Sequence, residues 1–449
     1  MPEQEQLTGW GRTAPTVATV RHLAADPAAV ADAVRRAGRR GIVARGLGRS
    51  YGDAAQNAGG DVLRLDQGQG LVLDPARGTV RVDAGVDLDR LIRELLPHGF
   101  FVPVTPGTRF VTVGGAIAAD IHGKNHHVDG SFGRHVSEMT LVDGTGRVRV
   151  LTPETTPELF WATVGGMGLT GVVTSAVLRV RPVTSSYITV DTDRAANLAE
   201  VVDLMRTGDA SYTYSVAWID LLARGAAQGR AVLTRGNHAT VDELPERVRS
   251  RPLSFDARQR LRAPRWAPEL LMNHWSVKAF NEAWFRKAPR SRRGEVQHLA
   301  TFFHPLDGVG DWNRLYGRRG LVQYQFVVPD AAEDALAEAV DLIADAGHAS
   351  FLAVLKRFGP GGPGYLSFPT QGWTLALDLP AAPGLAGLFA RLDDLVLEAG
   401  GRLYLAKDAR ARPDLVRAMY PRVEDFRAVR AEADPEGVFT SDLARRLGL

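Results

Sequence analysis

Residues 44–53 read ARGLGRSYGD, and this glycine-rich stretch follows a short apolar run, GIVAR, that is typical of a β-strand. Such a loop exposes successive backbone N–H groups, which can cradle phosphate oxygens. Downstream, PGT (Pro106–Thr108) and TVGGAIAADIHG (Thr112–Gly123) form a second glycine-containing loop and a helix start. Two phosphate-cradling loops in one α+β region predict a dinucleotide-like ligand held outside a Rossmann fold.

The composition narrows the function classes. The chain has 449 residues, of which 45% are hydrophobic, so it can bury a large core and form two or more domains. A net charge of +3 gives no reason to expect nucleic acid. The absence of cysteine excludes disulfides, thiol catalysis, cysteine–zinc sites and cysteinyl cofactor links.

The N-terminus, MPEQEQLTGWGRTAP, lacks the basic and apolar regions of a signal peptide. No apolar run reaches the ~18 residues that a membrane-spanning helix needs. We therefore expect a cytoplasmic protein or one bound peripherally at the plasma membrane, and the sequence leaves the periplasmic face open.

The pattern of apolar residues changes near residue 186. Residues 41–183 carry short strands, an amphipathic helix with Asp87 near its start and Gly99 past its end, and a hairpin around DGTG. Residues 186–400 instead carry longer strands, such as VQYQFVVP and GWTLALDLP, and two amphipathic helices. This pattern predicts an α+β protein whose second domain is an antiparallel sheet backed by helices.

Two short motifs match known fingerprints in the wrong context. GRSYG (Gly48–Gly52) has the spacing of a nucleophile elbow, but DAAQNAGG follows it where that elbow needs a helix. GMGLTG (Gly166–Gly171) has the spacing of a dinucleotide fingerprint, but it follows a helix and opens a strand. Both a serine hydrolase and a Rossmann site are disfavoured.

Four histidines cluster in or beside DIHGKNHHVDGSFG, residues 120–133: His122, His126, His127 and His135. A metal site is disfavoured, because Gly123 interrupts a helix through the i, i+4 pair and Lys124 adds a cation. The simplest interpretation of the last three histidines is that they are hydrogen-bonded loop residues.

The basic residues are distributed unevenly. Lysine occurs only at 124, 278, 287, 356 and 407, among 54 basic residues, so each lysine is a weak indication of a required ammonium group. Residues 247–293 carry 13 basic and three acidic residues interleaved with Trp266, Trp275, Phe280, Trp284 and Phe285. This stretch is either a solvated loop or a surface that approaches anionic lipid.

Several segments together resemble the vanillyl-alcohol-oxidase type of FAD flavoproteins. They include LTGWGRTAP, ARGLGRSYGD, ELFWATVGG and DP-GVF-SDLARRL. More narrowly, GGAIAADIHGKNHH, SFGRHV, QYQF and GGRLY-AKD are similar to the decaprenylphosphoryl-ribose 2-oxidase family. The resemblance covers essentially the whole chain, and DIHGKNHH and QYQF are its most specific parts.

The resemblance implies a two-domain α+β flavoprotein. Its FAD-binding domain would be split between 1–185 and 401–449, around a substrate domain at 186–400. Arg49 stands where many relatives carry the histidine that bonds FAD, so we expect non-covalent FAD and no metal. The implied cofactor-binding residues are Val43, Ala44, Arg45, Gly46, Leu47, Gly48, Arg49, Ser50, Tyr51, Gly52, Asp53, Gly107, Thr112, Val113, Gly114, Gly115, Ala119, Asp120, Ile121, His122, Val173 and Tyr404.

The implied reaction is oxidation of the ribofuranose 2-hydroxyl, which loses a proton while the carbon-bound hydrogen leaves as hydride to flavin N5. Lys407, His122 and Tyr51 are the implied catalytic residues, and Lys407 could act as the base or stabilise developing negative charge. The implied substrate-binding residues are Lys124, Trp218, Phe303, Gln323, Gln325, Lys356, Phe358, Thr374 and Ala376.

Three positions depart from the family. Ala376 replaces a cysteine of mycobacterial members, Thr374 replaces an asparagine, and Phe303 stands where tyrosine is usual. None of these changes removes the flavin chemistry, but together they leave the lining of the pocket and the exact substrate open.

The leading hypothesis is oxidation of a polyprenylphosphoryl-β-D-ribofuranose, the first half of an epimerisation that supplies the arabinose donor for cell-wall arabinan. An NADH-dependent short-chain reductase would complete it, and the lipid substrate implies peripheral membrane contact. One alternative is an FAD-dependent oxidase of another sugar or glycoside on the same scaffold. Another is a flavin-binding assembly partner without catalysis.

Overall fold

A computed structural model of the chain describes residues 3–66, 70–259, 261–264, 272–348 and 350–449. The expected α+β mixture is present. Trp266, part of the basic aromatic stretch, lies outside the described residues. Within these ranges no helix has both the length and the apolarity needed to cross a membrane.

The first sheet carries the glycine-rich stretch. Its strands are β1 (Glu3–Leu7), β2 (Thr16–His22), β3 (Ile42–Ala44) and β4 (Asp61–Arg64), in the order β1-β2-β4-β3. Strand β3 pairs in parallel with β4, so the chain must leave the end of β3 through a connecting segment before it returns. That segment begins with the glycine loop that follows Ala44.

A second sheet follows along the chain. The strands are β5 (Leu71–Asp74), β6 (Thr79–Asp83), β7 (Phe100–Phe101), β8 (Val136–Val142), β9 (Val148–Leu151), β10 (Val172–Arg179) and β11 (Arg181–Pro182). Five of them form the order β5-β6-β10-β8-β9, and β7 pairs separately with β11. The predicted hairpin is confirmed, because β8 and β9 pair antiparallel across DGTG.

Five helices belong to this N-terminal region. They are α1 (Pro27–Arg35), α2 (Leu88–Leu95), α3 (Val113–Ala118), α4 (His126–Asp129) and α5 (Pro157–Thr163). Helix α2 shows why the local signals succeed: the side chain of Asp87 caps its N-terminus by accepting a 2.8 Å hydrogen bond from the Arg90 backbone. Gly99, at φ 78°, then provides the left-handed turn that follows the helix.

The third sheet spans the middle of the chain. The strands from here on are β12 (Tyr187–Ala195), β13 (Tyr214–Ile219), β14 (Ala231–His238), β15 (Leu261–Arg262), β16 (Ser291–His298), β17 (Val309–Gly310), β18 (Leu321–Val328), β19 (Ala353–Phe358), β20 (Gly372–Pro380) and β21 (Arg402–Leu403). Eight of the described strands form an antiparallel sheet in the order β16-β12-β14-β13-β19-β20-β18-β21, and β15 pairs with β17.

Helices cover one face of this large sheet. The remaining helices are α6 (Leu198–Gly208), α7 (Glu246–Arg249), α8 (His274–Lys287), α9 (Leu299–Phe303), α10 (Glu333–Ala346), α11 (Leu385–Glu398), α12 (Pro413–Met419), α13 (Val423–Ala433) and α14 (Asp442–Leu447). Helix α11 packs on the sheet through Phe389, whose ring stacks 5.2 Å from that of Tyr324 in β18. Since side chains alternate along a strand, Gln323 and Gln325 point to the opposite face.

The C-terminal tail returns to the first sheet. Ile42 donates to the carbonyl of Val438 at 2.8 Å, and Thr440 donates back to the carbonyl of Ile42 at 3.0 Å. The Arg446 guanidinium binds both oxygens of Asp53, at 3.0 and 2.7 Å. Strand β21 pairs with β18, so the tail begins inside the large sheet. The domain bounds inferred from the sequence stay a prediction.

Candidate active site

A cavity of about 1270 Å³ lies between the glycine loop and the open face of the large sheet. It exceeds the usual ~300–1,000 Å³ of a small-molecule site, so it has room for a large cofactor together with a substrate. Its walls come from the loop after β3, the start of α3, the DIHGKNHH segment and strands β13, β14, β18, β19 and β20.

The glycine loop presents free backbone donors to this cavity. Arg45 donates to the carbonyl of Leu63 at 2.8 Å, and Tyr51 donates to that of Ala406 at 3.0 Å. Between them, the N–H groups of residues 46–50 donate to no acceptor in the described part of the chain. A Cβ on Gly46 would lie 2.3 Å from the Thr112 hydroxyl, so glycine is required there. The loop therefore fits the predicted phosphate cradle.

Helix α3 forms the adjoining wall. The Thr112 hydroxyl caps it by accepting a 3.2 Å hydrogen bond from Gly115 N–H. Gly114 donates to the carbonyl of Ala84 at 2.8 Å, and a Cβ there would lie 3.1 Å from the Ala84 side chain. Gly114, one of the two glycines predicted to let a ligand approach, thus also lets the helix approach the end of β6.

Asp120 fixes the turn that leads from α3 to His122. Its φ of 39° is left-handed, and its buried carboxylate accepts from the Ser131 hydroxyl at 2.7 Å, from Gly133 N–H at 2.8 Å and from the Ser367 hydroxyl. The hydrogen bonds offset the strain of a non-glycine residue in this region.

His122 lies where the segment after α3 meets the open face of the large sheet. Its Nε2 atom lies 3.0 Å from the amide nitrogen of Gln325, and its Nδ1 atom lies 3.0 Å from Nζ of Lys356. Its ring packs edge-on against Phe358 at 4.8 Å. Burial and the neighbouring Lys356 hold the pKa of His122 well below its ordinary value, so the imidazole is neutral near pH 7.

Three lysines face the same cavity: Lys124, Lys356 and Lys407. Burial lowers the pKa of Lys124 and of Lys356 to about 7 each. Burial also lowers the pKa of Lys407, to about 8, although the charge of Asp378 opposes the shift. Lys124 donates to the backbone carbonyl of Phe302. In the described ranges neither Lys124 nor Lys356 forms an ion pair with a carboxylate.

The sequence reasoning missed Asp378. This carboxylate is fully buried beside the cavity wall, where Oδ1 accepts from the Gln323 amide at 2.5 Å. Burial raises its pKa to about 7. The alternation of GWTLALDLP could have revealed it, because Asp378 is two residues beyond Ala376 and faces the same side of β20. Lys407 lies nearby, 4.1 Å from the Tyr51 ring centroid.

The cavity brings together most of the residues inferred for cofactor and substrate. All three inferred catalytic residues and Lys124, Trp218, Phe303, Gln323, Gln325, Lys356 and Ala376 line it. Of the cofactor set, the residues on its wall are Ala44, Arg45, Gly46, Leu47, Gly48, Arg49, Ser50, Tyr51, Gly107, Thr112, Gly114, Gly115, Ala119, Ile121, His122, Val173 and Tyr404.

The other inferred residues lie behind this wall, namely Val43, Gly52, Asp53, Val113, Asp120, Phe358 and Thr374. They support the site from behind: Thr374, for example, accepts from the Gln325 amide at 3.3 Å, and Asp53 binds Arg446. Direct contact of these residues with cofactor or substrate stays a prediction. So do the roles of the lining residues.

The other three histidines meet the sequence expectation only in part, because His127 and His135 are hydrogen-bonded but His126 and His127 lie in the short helix α4 rather than in a loop. His127 and His135 place Nε2 2.9 and 3.1 Å from the carbonyls of Tyr212 and Asp129. His126 is buried against Phe358, at a ring distance of 4.4 Å, and neither of its ring nitrogens has a hydrogen-bond partner among the described residues, so the expectation of a hydrogen-bonded side chain is wrong for it. Among the described residues, no three metal-ligating side chains are grouped to hold an ion.

The two misleading motifs lie in the contexts that the sequence indicated. GRSYG is followed by turns rather than a helix, and GMGLTG joins α5 to β10. Arg49, which stands where relatives carry a flavin-linking histidine, places its guanidinium 3.9 Å over the Trp10 ring.

Comparison with known proteins agrees with this geometry. A family described as FAD binding domain matches residues 19–152, and one described as D-arabinono-1,4-lactone oxidase matches residues 380–447. Decaprenylphosphoryl-beta-D-ribose oxidase of Mycolicibacterium smegmatis is 48% identical over 99% of this chain and 98% of its own length.

Two Streptomyces proteins are also similar. An uncharacterised protein of Streptomyces coelicolor is 45% identical over 81% of this chain and its whole length. An alditol oxidase of a Streptomyces species is 26% identical over 98% of both chains. The matches confirm the two-domain flavoprotein fold and FAD as the cofactor. The chain is an FAD-dependent oxidoreductase and belongs to the family of the mycobacterial decaprenylphosphoryl-β-D-ribose oxidase.

Proposed function

We propose that the protein oxidises the 2-hydroxyl of a polyprenylphosphoryl-β-D-ribofuranose to the 2-keto sugar. The observation that carries this proposal is the pair Lys124 and Lys356, two lysines that line the cavity without a carboxylate partner in the described ranges. Burying unpaired ammonium groups is costly, and an anionic phosphodiester would offset that cost. The name of the mycobacterial relative supports the same substrate class.

The cofactor would be held without a covalent bond. The backbone N–H groups of residues 46–50 and the glycines of α3 are suited to its diphosphate, and Arg49 offers no linking nucleophile. When bound, FAD would supply the acceptor of the hydride. Acid precipitation should therefore release all of the flavin into the supernatant, and a fluorescent protein band on a denaturing gel would contradict non-covalent binding.

The chain's own residues would position the sugar and take its proton. Lys407, with a pKa of about 8, can accept the proton of the 2-hydroxyl as a neutral amine or stabilise developing charge as a cation. The polar side chains of Gln323, Gln325 and Tyr51 line the same end of the cavity and can orient the ribose hydroxyls. The neutral His122 would hold Lys356 in place for the phosphate.

A lipid substrate implies contact with a membrane, and α8 is the surface best suited to it. Lys278, Arg286 and Lys287 are exposed on this helix together with the aromatic rings of Phe280 and Trp284. Such a surface attracts anionic lipid. The 2-keto product would pass to an NADH-dependent short-chain reductase, which completes the epimerisation to the arabinose donor of cell-wall arabinan.

The test is the visible spectrum of the holoenzyme under anaerobic conditions, before and after addition of farnesylphosphoryl-β-D-ribose. We expect the flavin absorbance to bleach, because two electrons pass from the substrate to the flavin. Replacing Lys407 with Ala should keep FAD bound but abolish bleaching. An oxidised spectrum in the wild-type protein would overturn the proposed substrate, and unchanged reduction in Lys407→Ala would remove that lysine from the mechanism.

A second candidate is oxidation of a free sugar or sugar alcohol, which the likeness to alditol oxidase favours. The same assay distinguishes the two. Bleaching by xylitol but not by the phospholipid sugar would support the alternative. The three lysines and neutral His122 on one wall argue for catalysis rather than a purely structural flavin protein.

A further inference from the structure

The cavity continues well beyond the residues that would contact ribose and phosphate. Gln325 in β18 pairs with Ala376, Ala376 with Val354, Val354 with Trp218, and Trp218 with Val232 in β14. These five side chains form one row across five neighbouring strands and all line the cavity. At ~4.8 Å per strand, the row is ~19 Å long.

The side chains of the row change from polar to apolar along its length. At one end Gln325 contacts His122, which in turn contacts Lys356, one of the two lysines proposed to bind the phosphate. From Ala376 onward the side chains are apolar, apart from the Trp218 indole N–H, which donates to the Phe351 carbonyl at 3.0 Å. Val216 lies beside the row on the same face. The row itself is therefore apolar from Ala376 to Val232, whereas further residues of β14, β12 and β16 add polar side chains to the cavity wall, namely Thr192, Thr234, Arg292, Glu295 and Gln297.

Helix α8 forms the far wall. The rings of Phe280 and Trp284 stack with centroids 6.0 Å apart, line the cavity and are each 44% exposed. The helix is fixed from below, because the buried amide of Asn281 donates to Asp220 at 2.7 Å. The apolar part of the row thus leads from the lysines to an aromatic opening at the protein surface.

We propose that this strip, from Val354 to Trp284, binds the first isoprene units of the substrate's polyprenyl chain. The inference rests on the proposed function, which places the phosphate at Lys124 and Lys356 and so fixes where the chain begins. An isoprenoid has no hydrogen-bonding groups, so it gains from contact with apolar side chains such as those of this row rather than from the polar side chains on neighbouring strands. The opening at Trp284 would let the rest of the chain leave towards the membrane.

The first experiment compares two ribose substrates that differ only in the lipid. Trp284→Ser and Val232→Asp should lower kcat/KM for farnesylphosphoryl ribose at least tenfold, since each methylene that loses burial costs about fourfold in affinity. Both variants should leave methylphosphoryl ribose unaffected. The matched control is Trp275→Ser, because Trp275 is 75% exposed on the same helix and does not line the cavity.

Equal losses for both substrates, or no loss for either, would overturn the inference. If Val232→Asp fails to fold, Trp284→Ser still tests it, because that side chain lies at the surface.

A binding experiment separates this inference from the proposed reaction. Farnesyl phosphate without ribose is titrated into the wild-type holoenzyme, and intrinsic tryptophan fluorescence reports binding. Saturable binding that Trp284→Ser weakens at least tenfold and Trp275→Ser leaves unchanged would support the lipid strip, even if ribose lipids fail to bleach the flavin. Absence of saturable binding, or equal binding to all three proteins, would overturn it.

Discussion

Nζ of Lys356 lies 3.0 Å from Nδ1 of His122, and this contact constrains where the protons are. The Gln325 amide donates both to His122 Nε2 and to the Thr374 hydroxyl, and Thr374 in turn donates to the Phe326 carbonyl at 2.8 Å. A neutral imidazole whose Nε2 accepts must carry its proton on Nδ1. Without substrate, Lys356 then accepts the hydrogen bond from Nδ1–H as a neutral amine, which agrees with its pKa of about 7, and a bound phosphate anion would favour its ammonium form.

Replacing Lys356 with Met should weaken substrate binding and stabilise the fold. Loss of a charge-assisted hydrogen bond to phosphate, worth ~1.5–3 kcal/mol, should raise KM by about 10- to 150-fold near pH 6.5. The pKa of this lysine falls from 10.5 in the unfolded chain to about 7. The unfolded state therefore binds more protons between these values, and wild-type stability falls as pH falls through this window. At pH 7 the variant should therefore have a higher melting temperature than the wild type, and this difference should disappear towards pH 10.

Lys278→Met, on the exposed side of α8, is the control and should change neither KM nor the melting temperature. An unchanged KM in Lys356→Met across pH 6–8 would contradict a phosphate contact at this lysine.

Asp378 should influence the pKa of Lys407 and thereby the pH dependence of flavin reduction. The charge of Asp378 raises the pKa of Lys407 against the effect of burial, so Asp378→Asn should lower that pKa below about 8. If neutral Lys407 takes the hydroxyl proton, flavin reduction rises with pH through this pKa, and its midpoint moves to lower pH in the variant. Stopped-flow reduction of the FAD-loaded protein across pH 6–10 measures the shift.

Asp209→Asn serves as the control, because Asp209 is also buried but binds Ser215 and lies outside the cavity wall. A midpoint that stays in place or moves upward in Asp378→Asn would exclude neutral Lys407 as the base.

Short sequence patterns correctly predicted the elements whose ends are determined by residues close to them in sequence. The cap at Asp87 and the left-handed Gly99 bound α2, and DGTG closes the β8–β9 hairpin. The glycine loop after Ala44 was predictable because the absence of a Cβ atom at its glycines can be read directly from the sequence. The family motifs then supplied the cofactor and a set of site residues, most of which line the cavity.

Cross-strand neighbours were harder to predict. Asp378 acts on Lys407 only because β20 and the tail residue meet in three dimensions, and nothing local in LALDLP indicates that meeting. The row from Gln325 to Val232 likewise depends on the register of five strands that are far apart in sequence. A one-residue slip in any pairing would turn the side chain to the other face.

The absence of cysteine allows a direct test of the cavity wall. Ala376 lines the cavity opposite Gln325, so Ala376→Cys should be alkylated by iodoacetamide with loss of activity, and substrate should slow the loss. The wild-type protein should resist every thiol-directed inhibitor. Val150→Cys, 57% exposed on β9, should react without losing activity. Inactivation of the wild type, or an unreactive Ala376→Cys, would contradict this placement.

The exposed side of α8 should bind anionic membranes. Each basic residue near an anionic surface contributes ~1 kcal/mol, so the double variant Lys278→Glu/Arg286→Glu should weaken binding to vesicles containing phosphatidylglycerol at least tenfold. Salt should weaken wild-type binding in the same assay, because the attraction is screened. The control is Arg412→Glu/Arg417→Glu, which reverses two exposed charges around α12. Wild-type protein that sediments equally with neutral and anionic vesicles, or an α8 variant that binds like the control, would place the membrane contact elsewhere on the molecule.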